Sequence, residues 1–192
     1  MQRTGPVNAI PSIETKRLIF RGHRFEDFEE CAALWADPQI TRFIGGKPFT
    51  REEVWTKLLR YLGHWSLMGF GHWVVAEKSS GRFVGEVGFA DFKREIHPSI
   101  EGEPESGWVL ARWAHGRGFA TEAVRAALAW ADAHFSSRRT VCLISPDNVA
   151  SIRVANKCGY QEFARTTYKE QPAILFERPA LKLTAALPGQ ID

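Results

Sequence analysis

Apolar positions along the chain follow two rhythms, one with a period near 3.6 residues and one near 2. Phe28, Cys31, Ala32 and Trp35 stand at helical spacing, and Asp37-Pro38 ends that helix because a residue before proline avoids the αR region. Gly45-Gly46-Lys47-Pro48 reads as a loop. Thr50-Arg51-Glu52-Glu53 forms a capping box, and the stripe Val54, Leu58, Tyr61, Leu62, Trp65 behind it turns one helix face to a core. From Gly71 the pattern shortens. His72 to Glu77 and Arg82 to Phe89 are strands around the turn Lys78-Ser79-Ser80-Gly81, which makes a hairpin. Residues 93–104 are a long loop, and Glu105 to Ala111 is the next strand. A helix follows His115-Gly116-Arg117-Gly118, with Ala120, Val124, Ala127, Leu128, Ala131 and Phe135 on one face. Val141 to Ile144 is a buried strand, Asp147 or Asn148 caps a helix, and Gly159 stops it. Tyr160 to Tyr168 and Ala173 to Glu177 complete the strands, with Arg17 to Arg21 as a short first one.

The order β-α-α-β-β-β-α-β-α-β-β predicts a mixed α/β single domain, a twisted sheet of about seven strands flanked by about four helices. Two strand–helix–strand units in the second half predict parallel pairs. The domain is expected over residues 13–180, with tails at 1–12 and 181–192.

Composition narrows the functional classes. The 192 residues include 25 Lys and Arg against 22 Asp and Glu, a net charge of +3. That excess is too small, and too poor in basic runs with aromatics between them, for a nucleic-acid partner. It still suits an anionic ligand such as a phosphate ester. Apolar runs fall short of the roughly 18 residues that cross a membrane, and the first eleven residues have no secretory apolar core. Cys31, Cys142 and Cys158 stand singly, without zinc spacing. Free thiols in a reducing cytoplasm, and no metal, are therefore expected.

The segment with most chemical content is the strand 105–111 followed by His115-Gly116-Arg117-Gly118-Phe119-Ala120-Thr121. Glycines let the backbone turn sharply and leave N–H groups uncovered, while the helix behind aims its positive dipole end at the same place. Such a turn accepts a phosphate or pyrophosphate, although two glycines also occur in ordinary strand-to-helix turns. A Walker A loop needs GxxxxGK[ST], which is absent. A Rossmann loop needs GxGxxG, where this chain has Thr121 in place of the last glycine.

The remaining pattern, Gln/Arg-x-x-Gly-x-Gly/Ala, is the coenzyme A signature of the GNAT acyltransferase superfamily, matched by residues 115–120 apart from histidine at the first position. The string Gly116 to Ala123, the segment Thr15 to Arg21 and the run Asn148-x-x-Ser151-x-Arg153-Val154-x-Asn156-Lys157-x-Gly159-Tyr160 resemble the RimJ/RimL-like branch, which acetylates N-termini of ribosomal proteins. The resemblance implies a GNAT-like sheet splayed between the strands at 105–111 and 141–144. It implies acetyl-CoA as cosubstrate, with the pyrophosphate on the backbone of His115, Gly116, Arg117, Gly118, Phe119, Ala120 and Thr121. The pantetheine would pair with Val109, Leu110 and Ala111 and bond to Asn148. Asn156, where the branch commonly has glutamate, would lie near the coenzyme tail.

The reaction so implied moves an acetyl group directly from a thioester to a primary amine, without a covalent enzyme intermediate. A lysine-type amine of pKa 10.4 is only about 0.04% neutral at pH 7, whereas an α-amine is about 10–17% neutral and needs little help from a base. By resemblance Ser151 is the proton donor to the leaving thiolate. A backbone N–H near Val109 or Leu110 would polarise the carbonyl. Glu105 is the first candidate for the base and Glu86 the second. Glu101, Glu103 and Glu105 form an acidic cluster that would attract a cation, unless it is simply hydrated. Trp65, Trp73 and Trp108 are candidates for an acceptor pocket or a homodimer face. The acceptor stays open between a protein N-terminus, a free amino acid, a polyamine and a drug amine. The alternative is a non-catalytic acyl-CoA-binding or sensing protein.

Overall fold

The computed structural model describes residues 10–135 and 139–180. Its centre is an eight-stranded sheet in the order β1-β2-β3-β4-β5-β6-β8-β7. The strands are β1 (Ile13–Glu14), β2 (Leu18–Arg21), β3 (His72–Glu77), β4 (Phe83–Ala90), β5 (Glu105–Leu110), β6 (Thr140–Ile144), β7 (Gln161–Tyr168) and β8 (Gln171–Arg178). The helices are α1 (Phe28–Ala36), α2 (Pro38–Thr41), α3 (Arg51–Met68), α4 (Phe119–His134) and α5 (Val149–Lys157). The mixed α/β domain read from the sequence is the one observed. Its extra elements are the two-residue β1 and the single turn α2, where Asp37 ends α1 and then caps Pro38–Thr41 by accepting from Gln39 N at 2.8 Å.

The local signals act as expected. Thr50 Oγ1 accepts from Glu53 N at 3.2 Å while the Glu53 carboxylate accepts from Thr50 N at 2.7 Å, so α3 starts on its capping box. One expectation fails. Of the two parallel pairs predicted, only β5–β6 forms, because β8 takes the place beside β6 and β7 lies outside it. The tight turn at Lys169-Glu170, both at positive φ (49° and 63°), folds β7 and β8 into a hairpin. The inner place goes to β8 because its apolar run Ala173–Phe176 is buried, while the polar β7 suits the edge. The tails expected at 1–12 and 181–192 lie outside the described residues except for 10–12. These pack on the sheet, where Trp73 Nε1 donates to Pro11 O at 2.8 Å and Ser12 Oγ donates to Phe20 O at 2.9 Å.

Each sheet face has its own cover. On one, α4 contributes Phe119, Ala123, Val124, Ala127, Leu128 and Ala131 to a core with Trp73, Val75, Val87, Phe89 and Leu110. On the other, Cys31, Leu34 and Trp35 of α1 and Val54 of α3 close over Val74 and Phe83. The loop after β4 covers the remaining half of that second face, through Ile96 and Ile100 against Val141, Leu143 and Leu175. Trp65 and Trp73, considered above for an acceptor pocket, are core residues packed against each other and Trp130. Among the described residues no helix is long and apolar enough to cross a membrane.

Candidate functional site

β5 is attached firmly on one side and barely on the other. Six residues pair with β4, from Glu105↔Ala90 to Leu110↔Gly85, but only Glu105↔Val141 pairs with β6. The strands diverge from there, which is the splay the resemblance implied. Gly85 makes the close contact on the β4 side, since a Cβ there would lie 2.1 Å from the Val109 carbonyl oxygen. Past Leu110 the chain makes a short turn at Arg112–Ala114 and enters the loop at 115–118. His115 ties that turn back to the strand, its Nε2 donating to Leu110 O at 2.9 Å.

Gly116 and Gly118 take φ of 73° and 77°, and Gly118 is the residue from which α4 starts. A Cβ at Gly116 would meet nothing within 4 Å. The bare backbone and the helix N-terminus therefore face open space, an arrangement that fits a pyrophosphate. The Arg117 side chain reaches Glu77 at 3.4 Å and stacks on Phe119, whose ring is buried. Beside the loop lies a groove of about 690 Å³ lined by Thr15, Arg17, Gly118, Thr121, Glu122, Arg125, Ala126 and Lys157. Its three cations, Arg17, Arg125 and Lys157, were not singled out from the sequence as ligand contacts. Thr15 and Arg17 stand about a hundred residues before the loop, and no local pattern joins them to it.

Asn148 is the cap of α5, with Oδ1 accepting from Ser151 N at 3.2 Å. Ser151 is half-buried in the first turn of α5, and Asn156 is exposed near its end. The register separates Ser151 from Glu105. Glu105 is level with Val141 at the start of β6, whereas α5 begins past Ile144, on the order of 10 Å along the strands. The glycine turn and Ser151 thus share the carboxyl ends of β5 and β6, and Glu105 sits at the amino end. Glu105 is buried and held by Arg94, whose Nε and Nη2 donate to its two oxygens at 2.6 and 2.7 Å. Arg94 also lies over Phe92 and Tyr168. The other acids of that segment are paired as well, Glu101 with Lys93 and Glu103 with Arg139.

Glu86, the second candidate base, faces α1 and α3 opposite Val109. It is buried among three donors: His23 Nε2 at 3.0 Å, Trp35 Nε1 at 2.8 Å and Cys31 Sγ at 3.4 Å. Burial pushes its carboxyl up, but the bond and charge of His23, the charge of Lys57 and the Trp35 donor outweigh that and bring it down to about 2. His23, Cys31 and Glu86 place ligand-type atoms within 4.8 Å of one another, and their mutual contacts are hydrogen bonds. Burial pushes the Cys31 thiol far up, so it stays a proton donor to the carboxylate. Lys57 lies above the ring of Trp35 at 3.9 Å, with Tyr61 at 5.2 Å, and burial lowers its ammonium to about 8. Burial, then the charge of Lys57, holds His72 well below the usual histidine value.

A family model described as an acetyltransferase (GNAT) domain matches residues 17–161. The chain is similar to the uncharacterized protein YkkB of Bacillus subtilis (strain 168), 31% identical over 182 residues, which span 90% of this chain and 98% of that one. Among solved structures it is similar to an acetyltransferase from Agrobacterium tumefaciens str. C58, with a TM-score of 0.76 and 26% identity over 92% of this chain and 98% of that one. It also shares its fold with a ribosomal-protein-S5-alanine acetyltransferase from Vibrio fischeri, with a TM-score of 0.69 and 17% identity over 90% and 98% of the two chains.

Proposed function

Because the chain belongs to the GNAT acetyltransferase family, we propose that it transfers the acetyl group of acetyl-CoA directly to a primary amine, with no covalent enzyme intermediate. One observation carries this reading: the open edge of β5 past Glu105↔Val141 leads straight into the uncovered glycine turn at the start of α4. An unpaired strand edge offers backbone groups to the amides of a pantetheine arm. Of Val109, Leu110 and Ala111, the outer two face β4, since Ala111 N donates to Val84 O and Val109 lies two residues back opposite Glu86. Leu110 is the one turned to the open side, its carbonyl held by His115 and its N–H left for the arm. The N–H groups from Gly116 to Thr121 then meet the pyrophosphate, with His115 holding the turn to the strand. Asn148 keeps its amide N–H free to donate while its oxygen caps α5, and Asn156 lies on the side of the coenzyme tail.

In the transfer, the amine attacks the thioester carbon, the C–S bond breaks, and the thiolate takes a proton from Ser151, which regains one through water from the proton the amine gives up. Glu105 receives the proton lost by the amine by way of water, since it stands along the strands from Ser151. An α-amine, already about 10–17% neutral at pH 7, suits so distant an acid better than a lysine amine does. The acceptor is a protein N-terminal or small-molecule primary amine. Three buried free cysteines suit a cytoplasmic setting.

A second reading, an acyl-CoA-binding or sensing protein without turnover, draws on the bidentate Arg94–Glu105 pair, which engages both oxygens of the acid. Calorimetric titration with acetyl-CoA, carried into a thiol-release assay over a panel of amines and N-terminal peptides, separates the two. Binding with thiol release supports the transferase, and binding without release on any amine supports the sensor. Absence of binding removes both.

A further inference from the structure

Arg17 precedes β2 and is fixed at both ends of its backbone: its N–H donates to Glu122 Oε1 at 3.0 Å and its carbonyl accepts from Lys78 N at 2.7 Å. Its side chain then crosses to the glycine turn. Nε donates to Glu122 Oε2 at 2.7 Å with Nη2 2.6 Å from the same oxygen, Nη1 donates to the Arg117 carbonyl at 2.9 Å, and the guanidinium lies 4.5 Å above Phe119. Thr15 Oγ1 completes the set by donating to Glu122 Oε1 at 2.7 Å. The Arg17 and Glu122 side chains are 42% and 19% exposed, so the ion pair adds little to folding stability. Stability does not account for one guanidinium hydrogen-bonded to two separate acceptors.

The geometry of the peptide bond does. In a planar trans peptide the C=O and the following N–H point in opposite directions. Holding the Arg117 carbonyl towards Arg17 therefore turns the Gly118 N–H away from Arg17. With glycine at 116 and 118 this peptide has little steric reason to hold one orientation. The clamp also matters for charge, because Glu122 stands in the first turn of α4, where a bare carboxylate would repel an anion at the helix start.

We infer that Arg17 is a positioning residue for the coenzyme loop, presetting the Gly118 N–H for the pyrophosphate and neutralising Glu122 before any ligand arrives. The inference rests on the acetyl-CoA reading above. It specifies what Arg17 discriminates: ligands with a pyrophosphate from ligands without one.

The test compares acetyl-CoA with S-acetyl-pantetheine, which lacks the pyrophosphate, by calorimetry on the full chain, the Arg17→Met variant and the Arg17→Lys variant. Both variants are expected to bind acetyl-CoA at least tenfold more weakly, with unchanged affinity for S-acetyl-pantetheine. Lysine keeps the charge but cannot reach both acceptors, so it should not rescue. In the ligand-free Arg17→Lys protein, hydrogen exchange at 116–121 should quicken while β3 and β4 stay as in the parent. Equal loss for both ligands, no loss for either, or full rescue by lysine overturns the inference while leaving the acetyl-CoA reading in place. A parent protein that does not bind acetyl-CoA overturns both. Should Arg17→Met fail to fold, Arg17→Lys carries the same comparison.

Discussion

Gly118 allows the coenzyme site to be tested by separating backbone strain from charge. At φ 77° any side chain enters the left-handed region, at about 1–2 kcal/mol. A Cβ there would otherwise meet only Arg17 Nη2 at 3.5 Å, an ordinary contact. Gly118→Ala should thus lower Tm by about 2–8 °C, at about 2–4 °C per kcal/mol for a chain of this size. Gly118→Glu carries the same strain and adds a negative charge beside the pyrophosphate. Two unit charges about 4 Å apart repel by about 1 kcal/mol in water and about 4 kcal/mol at an effective dielectric of 20. The glutamate variant should therefore bind acetyl-CoA about fivefold to a thousandfold more weakly than the alanine variant at similar Tm. Calorimetry and thermal melts on the two proteins make the comparison. Equal affinities in Gly118→Glu and Gly118→Ala would show that the pyrophosphate does not sit at this turn.

Ser151→Ala should lower turnover by about a hundredfold, the lower range for a general acid because a thiolate leaves readily, with acetyl-CoA affinity little changed. An unchanged rate at saturating substrate removes Ser151 from the mechanism. Glu86, held at about 2 when folded against an ordinary 4.5, stabilises the fold above pH 4.5, and that contribution is lost as pH falls towards 2. Glu86→Gln should accordingly be less stable at pH 7 and flatter in Tm between pH 4.5 and 2, and parallel acid limbs would count against the buried network. Lys57 has its folded value lowered to about 8 from 10.5, so the folded state gains stability as pH rises from 8 to 10.5. Lys57→Met should raise Tm below pH 8, with the gain fading by pH 10.5; a constant gain would mean the charge is not what matters. Acetyl-CoA should slow hydrogen exchange at Trp108 and Leu110, whose N–H groups face the open edge, without altering β3, whereas uniform slowing would point to general tightening instead of strand pairing.

Much of the fold was legible because its signals are local. The Thr50–Glu53 box, the stripe ending at Trp65, the Asp37-Pro38 stop and the Gly159 terminator each act within a turn or two, and the elements they delimit appear where expected. The slot of β8 was not legible, because the β6–α5–β7 unit is equally compatible with β7 beside β6. The Lys169-Glu170 turn pairs β7 with β8, and what decides between them is the buried apolar run Ala173–Phe176, which takes the inner slot and leaves the polar β7 at the edge. The candidate site divides the same way. The glycine turn is contiguous and could be read, whereas Arg94 on Glu105 and the three donors around Glu86 depend on tertiary approach.

The splay beside β5 follows from how each half of the sheet is satisfied. β5 is held to β4 over its whole length, and β6 is paired with β8 from Thr140↔Arg178 to Ile144↔Ile174. Neither strand needs the other to complete a ladder, so the two can part after one pair without undoing either half. The covers keep them apart in different ways. α4 packs Leu110 from one face, and on the opposite face the loop carrying Ile100 closes over Val141 while α1 and α3 cover the β4 side. Backbone groups along the open edge of β5 are then left to water or to a ligand, since buried N–H and C=O groups need partners. A molecule with amides at strand spacing and an anionic end satisfies the edge and the glycine turn together. On the proposed reading the strand pairing supplies the gap for the amides and the α4 N-terminus the seat for the anion, with Arg17 tying the turn to the start of β2.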